Sequence, residues 1–198
     1  MTTPHRLREA ARRLHGGEIV AYPTEAVYGL GCDPRQSEAL ERLIARKGRA
    51  AHKGFIVIAS RLAWLEELAI LPQNPMRQVI LDSWPGPVTW VLPVRFGLPG
   101  LLTGGRPTLA VRLTAHPMAR ALSEAAGMAL VSTSANPSKR PPARNALQVR
   151  RFFFRDKKPF VLGGAVGNLT TPTQIRHGAT GAILRPAPHP PPQETHTA

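Results

Sequence analysis

The sequence predicts an α/β protein, and three observations predict it. Short apolar runs, Glu18 to Tyr22, Phe55 to Ala59 and Met128 to Val131, have the length and the aliphatic content of buried strands. Between them lie segments with helical spacing, Leu7, Ala10, Ala11 and Leu14 in one and Leu40, Leu43 and Ile44 in another. Two of the strands run straight into polar stretches, T-E-A-V-Y-G-L-G after Pro23 and S-T-S-A-N-P-S after Val131, and open α/β sheets bind ligands where their strands end.

Each element has a local cause. Thr3 and Pro4 form the N-cap and first turn of a helix that stops at His15-Gly16-Gly17, with Arg6, Arg8, Arg12 and Arg13 turned to water. Glu18 to Tyr22 is a strand that Pro23 ends, because proline cannot donate to a ladder. Gly29 and Gly31 then allow a sharp turn or a close approach of backbone to a ligand. Ser37 is the expected N-cap of the next helix, which ends in a basic loop carrying Arg46, Lys47, Arg49 and Lys53. After the strand Phe55 to Ala59, Ser60 is expected to cap a helix through Leu68, and a further helix runs from Pro75 to Leu81. Trp84-Pro85-Gly86-Pro87 is a stiff turn into a strand that buries Val88, Trp90 and Leu92. Thr108 to Leu113 alternates, so Leu109, Val111 and Leu113 face one way and Thr108, Ala110 and Arg112 the other. His116 to Ala126 is a helix closed by Gly127, and another begins at Asn145, burying Phe152, Phe153 and Phe154 while exposing its arginines. Three short strands follow at Val161-Leu162, Thr173-Gln174-Ile175 and Ala182-Ile183-Leu184. The proline-rich stretch 187–198 has no apolar periodicity and is expected to be disordered.

With 198 residues, one domain is expected, and 42% apolar content supports a full core. No apolar run nears the roughly 20 residues of a membrane span, and M-T-T-P-H-R-L-R lacks the apolar region of a secretory signal, so a soluble, cytoplasmic chain is expected. Cys32 stands alone and reads as a small buried hydrophobe, and the histidines have no metal-ligand spacing, so no metal site from protein side chains is expected. The formal net charge is +14. Residues 1–99 carry 13 cations against nine acids, and residues 100–198 carry 13 against three. That imbalance fits attraction to polyanions, RNA or nucleotide phosphates, as well as simple solubility.

The candidate site residues each admit two readings. Thr24 sits where a strand lets go and either satisfies its own turn or touches a ligand. Lys47, Arg49 and Lys53 either complement a helix end or hold an anion. Arg112 interrupts an apolar strand, so it must meet water, a distant carboxylate or a ligand anion. Ser132, Thr133, Ser134 and Asn136 cluster at a strand end without the glycines of a nucleophile elbow, so they hold a ligand rather than attack one. Lys139 to Lys158 holds eight cations and one acid with aromatics between them, a composition that fits RNA contact or a helix with a solvated face.

Y-P-T-E-A-V-Y-G-L-G-C-D-P (Tyr22 to Pro34), K-G-R-A-A-H-K-G (Lys47 to Gly54), W-P-G-P-V-T (Trp84 to Thr89), L-A-V-R (Leu109 to Arg112) and S-T-S-A-N-P-S (Ser132 to Ser138), in this order, resemble the YrdC/TsaC family of threonylcarbamoyl-AMP synthases. The resemblance spans residues 5–186 and implies a YrdC-like twisted open mixed sheet with flanking helices and a basic concave face. It implies condensation of L-threonine, bicarbonate or CO2, and ATP to threonylcarbamoyl-AMP and pyrophosphate, with Mg²⁺ on the phosphates. The product would serve threonylcarbamoyladenosine modification of tRNA beside the anticodon, through transferase partner proteins, and some members bind double-stranded RNA. Carried over by position, Lys47 and Arg49 are catalytic, and Thr24, Ser132 and Arg112 bind threonine. Arg49, Lys53, Thr108, Ser134, Asn136 and Arg185 contact the nucleotide, with Thr173 beside them. Ala50, Lys139 and Gln174 depart from the family pattern. The alternative is a non-catalytic RNA-binding or ribosome-maturation module of the same fold.

Overall fold

The computed structural model describes residues 3–154, 158–169 and 172–186. The expected stretch 187–198 lies outside them. The chain runs α1 (Pro4–His15), β1 (Val20–Pro23), β2 (Tyr28–Gly31), α2 (Ser37–Lys47), a 3-10 turn (Ala51–Lys53), β3 (Ile56–Ala59), α3 (Leu62–Glu66), α4 (Met76–Asp82) and β4 (Val88–Pro93). It continues α5 (Gly100–Thr103), β5 (Thr108–Leu113), α6 (Pro117–Ala126), β6 (Leu130–Ser134), α7 (Ala146–Phe152), β7 (Phe160–Val161), β8 (Gln174–His177) and β9 (Ile183–Arg185). The strands form one mixed sheet in the order β7-β1-β2-β6-β3-β5-β4-β8-β9. β3 and β5 are parallel, whereas β6 runs antiparallel to both β2 and β3.

Alternation along the strands sends side chains into two separate cores. Val57, Ala59, Val131, Ala21 and Leu30 pack with Leu40 and Leu43 of α2 and, farther along, with Trp90 and Leu92 of β4. Val20, Tyr22, Ile58 and Leu130 face the other way, onto Ala10 and Leu14 of α1 and Ala119 and Leu122 of α6. On that second face β6 changes character: its next residues with the same orientation are Ser132 and Ser134. The apolar pattern that attracts a covering helix stops there.

Several expectations are corrected by packing. Tyr28–Gly31 is a strand, not a turn, hydrogen-bonded between β1 and β6 with Gly29 opposite Ser134. Gly31 is required by crowding: a Cβ there would sit 2.6 Å from the Val131 carbonyl oxygen and 2.8 Å from the Tyr22 ring. Ser132 to Ser134 lie within β6 rather than beyond its end. Gln36, not Ser37, occupies the N-cap of α2. Ser60 caps nothing, since Arg61 is the N-cap of a shorter α3, and its hydroxyl pairs with that of Ser123 at 3.2 Å. Phe153 is buried but Phe154 is exposed. Arg6 does not merely face water; it donates to the Val161 carbonyl at 2.8 Å, and Arg6 and Arg13 both lie over the Phe160 ring. Cys32 is fully buried, and that burial, with Asp33 nearby, pushes its thiol up to about 12. No helix among the described residues is long and apolar enough to cross a membrane.

Gly31→Ala is expected to destabilise the chain by about 2 kcal/mol through overpacking against Val131 and Tyr22. Urea denaturation measures it, and an unchanged midpoint would mean that β2 can shift away from β6.

Candidate functional site

Where α1 and α6 stop covering the sheet, a cleft of about 470 Å3 opens. Its floor is β2, β3, β5 and β6, through Gly29, Ile56, Arg112, Ser132 and Ser134. Its walls come from the β1–β2 connection (Thr24, Ala26, Val27), the basic loop after α2 (Arg49, with Phe55), the segment Pro141, Pro142 and Arg144, and Pro172, Thr173 and Arg185 at the far edge. A Cβ at Gly29 would lie 3.3 Å from both Ser132 Oγ and Thr24 Cγ2, so the missing side chain is what lets these two hydroxyl residues share one wall.

Seven predicted residues, Thr24, Arg49, Arg112, Ser132, Ser134, Thr173 and Arg185, therefore line a single cavity. Thr24 satisfies both of its readings at once. Its hydroxyl donates to the Val27 carbonyl at 2.7 Å, and the oxygen keeps acceptor capacity on the cleft wall. Arg112 is anchored by a distant carboxylate, Glu25 Oε2 at 2.9 Å, and also lines the cleft. Its Nη1 donates to Thr173 Oγ1 at 2.9 Å and Thr89 Oγ1 at 3.3 Å, while Nε has no partner among the described residues. Thr173 serves a second arginine too, its carbonyl accepting from Arg185 Nη2 at 2.7 Å. Arg49 donates to the Gly54 carbonyl at 2.9 Å and lies over the Phe55 ring. Burial lowers the pKa of both Arg49 and Arg185, the nearby Arg106 and Arg112 adding to it respectively, yet both guanidinium groups stay charged.

Four predicted residues are placed elsewhere. Lys47 is buried, and its ammonium donates to the Ser134 carbonyl, to the Asn136 carbonyl at 2.8 Å and to Asn136 Oδ1 at 3.4 Å. Asn136 is spent on the same contacts, its amide donating to the Arg140 carbonyl. The two residues form a staple between the end of α2 and the turn after β6, directly behind Ser134. Lys53 is exposed, its backbone N–H donating to the Ala50 carbonyl and its own carbonyl accepting from Arg106. Thr108 shares the face of Arg112 but stands four residues away along β5, roughly 13 Å. Arg144 was overlooked from sequence and lines the cleft; the cation run of Lys139 to Lys158 was its signal. Glu25, which grips Arg112, has no signal in the sequence beyond its place next to Thr24.

Electrostatically, Arg49, Arg112, Arg144 and Arg185 face the cavity and no carboxylate is among its described lining residues. The arrangement is built to receive anions, with hydroxyls on one wall to orient a small polar molecule. No described group of His, Cys, Asp and Glu could hold a metal ion. A family model described as Sua5, yciO and yrdC, telomere recombination, matches residues 12–187. The chain belongs to this family. It is 53% identical over 185 residues to a threonylcarbamoyl-AMP synthase of Halorhodospira halophila, covering 93% of this chain and 96% of the relative. It is 48% identical over 180 residues to a threonylcarbamoyl-AMP synthase of Nitrosococcus oceani, with 91% and 97% covered. Among solved structures it resembles P. abyssi Sua5 complexed with L-threonine, with TM-score 0.84 and 32% identity over 91% of this chain and 53% of that one. It also shares its fold with E. coli YciO, TM-score 0.81 at 23% identity, covering 95% and 92%.

Burial, and then the charge of Arg49, push Lys47 down to about 8 from the ordinary 10.5. A lowered lysine pKa means that the unfolded chain binds the proton more readily, so the stability Lys47 contributes rises from about pH 8 toward 10.5 and is lost as pH falls. Lys47→Met should cost about 2 kcal/mol at pH 8, since it strands three buried oxygens, and the gap to the parent chain should widen toward pH 10. Urea titrations of both proteins across that range measure it; a gap that narrows would show that the three acceptors outweigh burial.

Proposed function

We infer that the chain is an L-threonylcarbamoyl-AMP synthase, a nucleotidyltransferase that joins L-threonine, bicarbonate or CO2, and ATP and releases pyrophosphate. The observation that carries this reading is the coexistence, in one cleft, of a hydroxyl wall and four arginines, in a chain about half identical to curated synthases of that name. A module that only bound RNA would need the cations and would have no use for the hydroxyls of Thr24, Ser132 and Ser134 beside them.

The chemistry follows from charge. Threonine's amine nitrogen adds to the carbon of CO2 and loses a proton, giving a carbamate. A carbamate oxygen then forms a bond to the α-phosphorus of ATP as the bond to the bridging oxygen of pyrophosphate breaks. Two anions must meet and a third must leave, so the barrier is dominated by repulsion and positioning. Thr24 and Ser132 orient threonine with Arg112, while Arg49, Arg144 and Arg185, with Ser134, take the phosphates. Lys47 and Asn136 act from behind, holding Ser134 and the end of the basic loop in register. Lys53 and Thr108 are not among the residues lining the cavity and are given no part in this assignment.

The described residues do not fit a protein-held Mg²⁺, which needs oxygen ligands, because no carboxylate among them lines the cleft and that of Glu25 is committed to Arg112. Magnesium accordingly belongs to the nucleotide's own phosphates. The product would be consumed by partner proteins that transfer the threonylcarbamoyl group to tRNA. Exposed Lys139, Arg140, Arg144, Arg150 and Arg151, next to the cleft mouth and beyond it, suit a salt-sensitive contact with tRNA or double-stranded RNA. A cytoplasmic setting follows from that substrate.

Purified protein given ATP, bicarbonate and Mg²⁺ should release pyrophosphate only when L-threonine is added. Release without threonine would mark a nucleotide hydrolase, and none in either case would leave the RNA module. Arg49→Ala should raise KM for ATP by roughly tenfold, as expected for one charge-assisted phosphate contact, with threonine KM little changed. Equal rises in both would place Arg49 on the shared framework.

A further inference from the structure

We propose that Glu25 is the positioning residue that aims Arg112 at the threonine substrate, so that the turn bearing Thr24 sets the hydroxyl and the cation of the threonine subsite together. This rests on the threonine-activating reading above and assigns a role to a residue outside the cavity lining.

Glu25 is 8% exposed and Arg112 5%, so neither is a surface charge held by chance. Both carboxylate oxygens are used: Oε2 accepts from Arg112 Nη2 at 2.9 Å and Oε1 from the Thr114 hydroxyl at 2.6 Å. Thr114 in turn accepts from the His116 backbone N–H at 3.2 Å, which fixes the direction of its own proton. Burial would push the Glu25 carboxyl up, but Arg112 and Thr114 more than offset it and hold it below the usual carboxylate range, so it stays ionised. The guanidinium is thus clamped on one side by a carboxylate and on the other by Thr173 and Thr89. Nε, itself buried, is the one nitrogen of this guanidinium with no partner among the described residues, on a side chain that borders the cleft.

A buried arginine that needed only charge balance would be served by the carboxylate. An arginine with both terminal nitrogens fixed is oriented, and directional recognition of a carboxylate requires orientation. The backbone reinforces the coupling. Glu25 follows Thr24 directly, the Thr24 carbonyl accepts from Gly167 N–H at 2.9 Å, and the Glu25 carbonyl accepts from Leu169 N–H at 3.1 Å. A Cβ at Gly167 would come within 2.6 Å of the Glu25 carbonyl oxygen, so the strap 163–169 lies tight against this turn. Any tilt of the turn displaces Thr24 and Arg112 at once.

The experiment measures KM for threonine and for ATP, with melting temperature, in Glu25→Ala, Glu25→Gln, Thr114→Val and Ser123→Ala. Glu25→Ala is expected to raise threonine KM roughly 10- to 100-fold, as a misplaced binding group does, with ATP KM near the parent value. Glu25→Gln keeps an acceptor oxygen for Arg112 and can donate to the Thr114 oxygen, so most of the threonine affinity should return. Thr114→Val should shift threonine KM the same way by less. Ser123→Ala breaks the buried Ser60–Ser123 pair between α6 and the residue after β3, outside the cavity lining, and should lower the melting temperature without moving threonine KM.

Parent-like threonine KM in Glu25→Ala, equal rises for both substrates, or glutamine behaving as alanine would each overturn the proposal. If Glu25→Ala does not fold, glutamine and Thr114→Val decide, and parent-like threonine KM in Thr114→Val overturns it. A parent chain without threonine-dependent turnover would instead sink the synthase reading itself.

Discussion

The site depends on one face of the sheet being only half covered. Val20, Ile58 and Leu130 attract α1 and α6 because their burial against Leu14 and Leu122 removes apolar surface from water. Two residues farther along β6 the same orientation presents Ser132 and Ser134, which return little on burial and would need partners under a helix. The helices stop, the face stays open, and strand edges rich in hydroxyls become the floor of a cleft. The same alternation on the opposite side, Val57, Val131 and Leu30, is closed by α2 and the elements that follow, so the floor is rigid.

An open floor alone would not hold four arginines in one cavity. Each guanidinium pointed inward must be fixed against the repulsion of the others, and the chain does this with neutral acceptors wherever it can: the Gly54 carbonyl for Arg49, the Thr173 carbonyl for Arg185. Among the described residues only Arg112, the most buried of the four, is seen to receive a carboxylate. Desolvating a pair such as Arg112 and Glu25 costs several kcal/mol per ion before their attraction offsets it, so the pair is weak evidence of stability and better evidence of placement. It spends negative charge where it cannot reach the cavity, leaving the lining itself cationic.

Much of this was legible in the sequence. The helices and the long strands followed from periodicity, the cleft's hydroxyls and basic loop from composition, and Thr173 and Arg185 from the family resemblance alone. What failed had a common physical reason, packing between segments far apart in sequence. Gly29 and Gly31 read as turn residues because nothing local says that Tyr22 and Val131 will press on a strand there. Glu25 and Arg112 are 87 positions apart, so their pairing has no local signature. Lys47 was paired with Arg49 through the family resemblance and their common basic loop, which says nothing of which way each side chain points. In the fold α2 ends in a left-handed Gly48, which turns the chain so that Arg49 lines the cavity and Lys47 points under β6.

That division between Lys47 and Arg49 makes physical sense for a cavity that must collect several anions. An ammonium with three donors can tie three oxygens of one turn together, and burial is tolerable because each proton finds an acceptor. A guanidinium suits the opposite task, since it stays charged when half buried and offers a planar edge to phosphate. Exchanging the two would put a lysine, whose charge yields readily to desolvation, against the phosphates and would force a rigid fork beneath a turn that needs separate bonds. The adjacent cations of the basic loop are therefore not redundant charge. One builds the wall that carries Ser134, and the other faces what that wall holds.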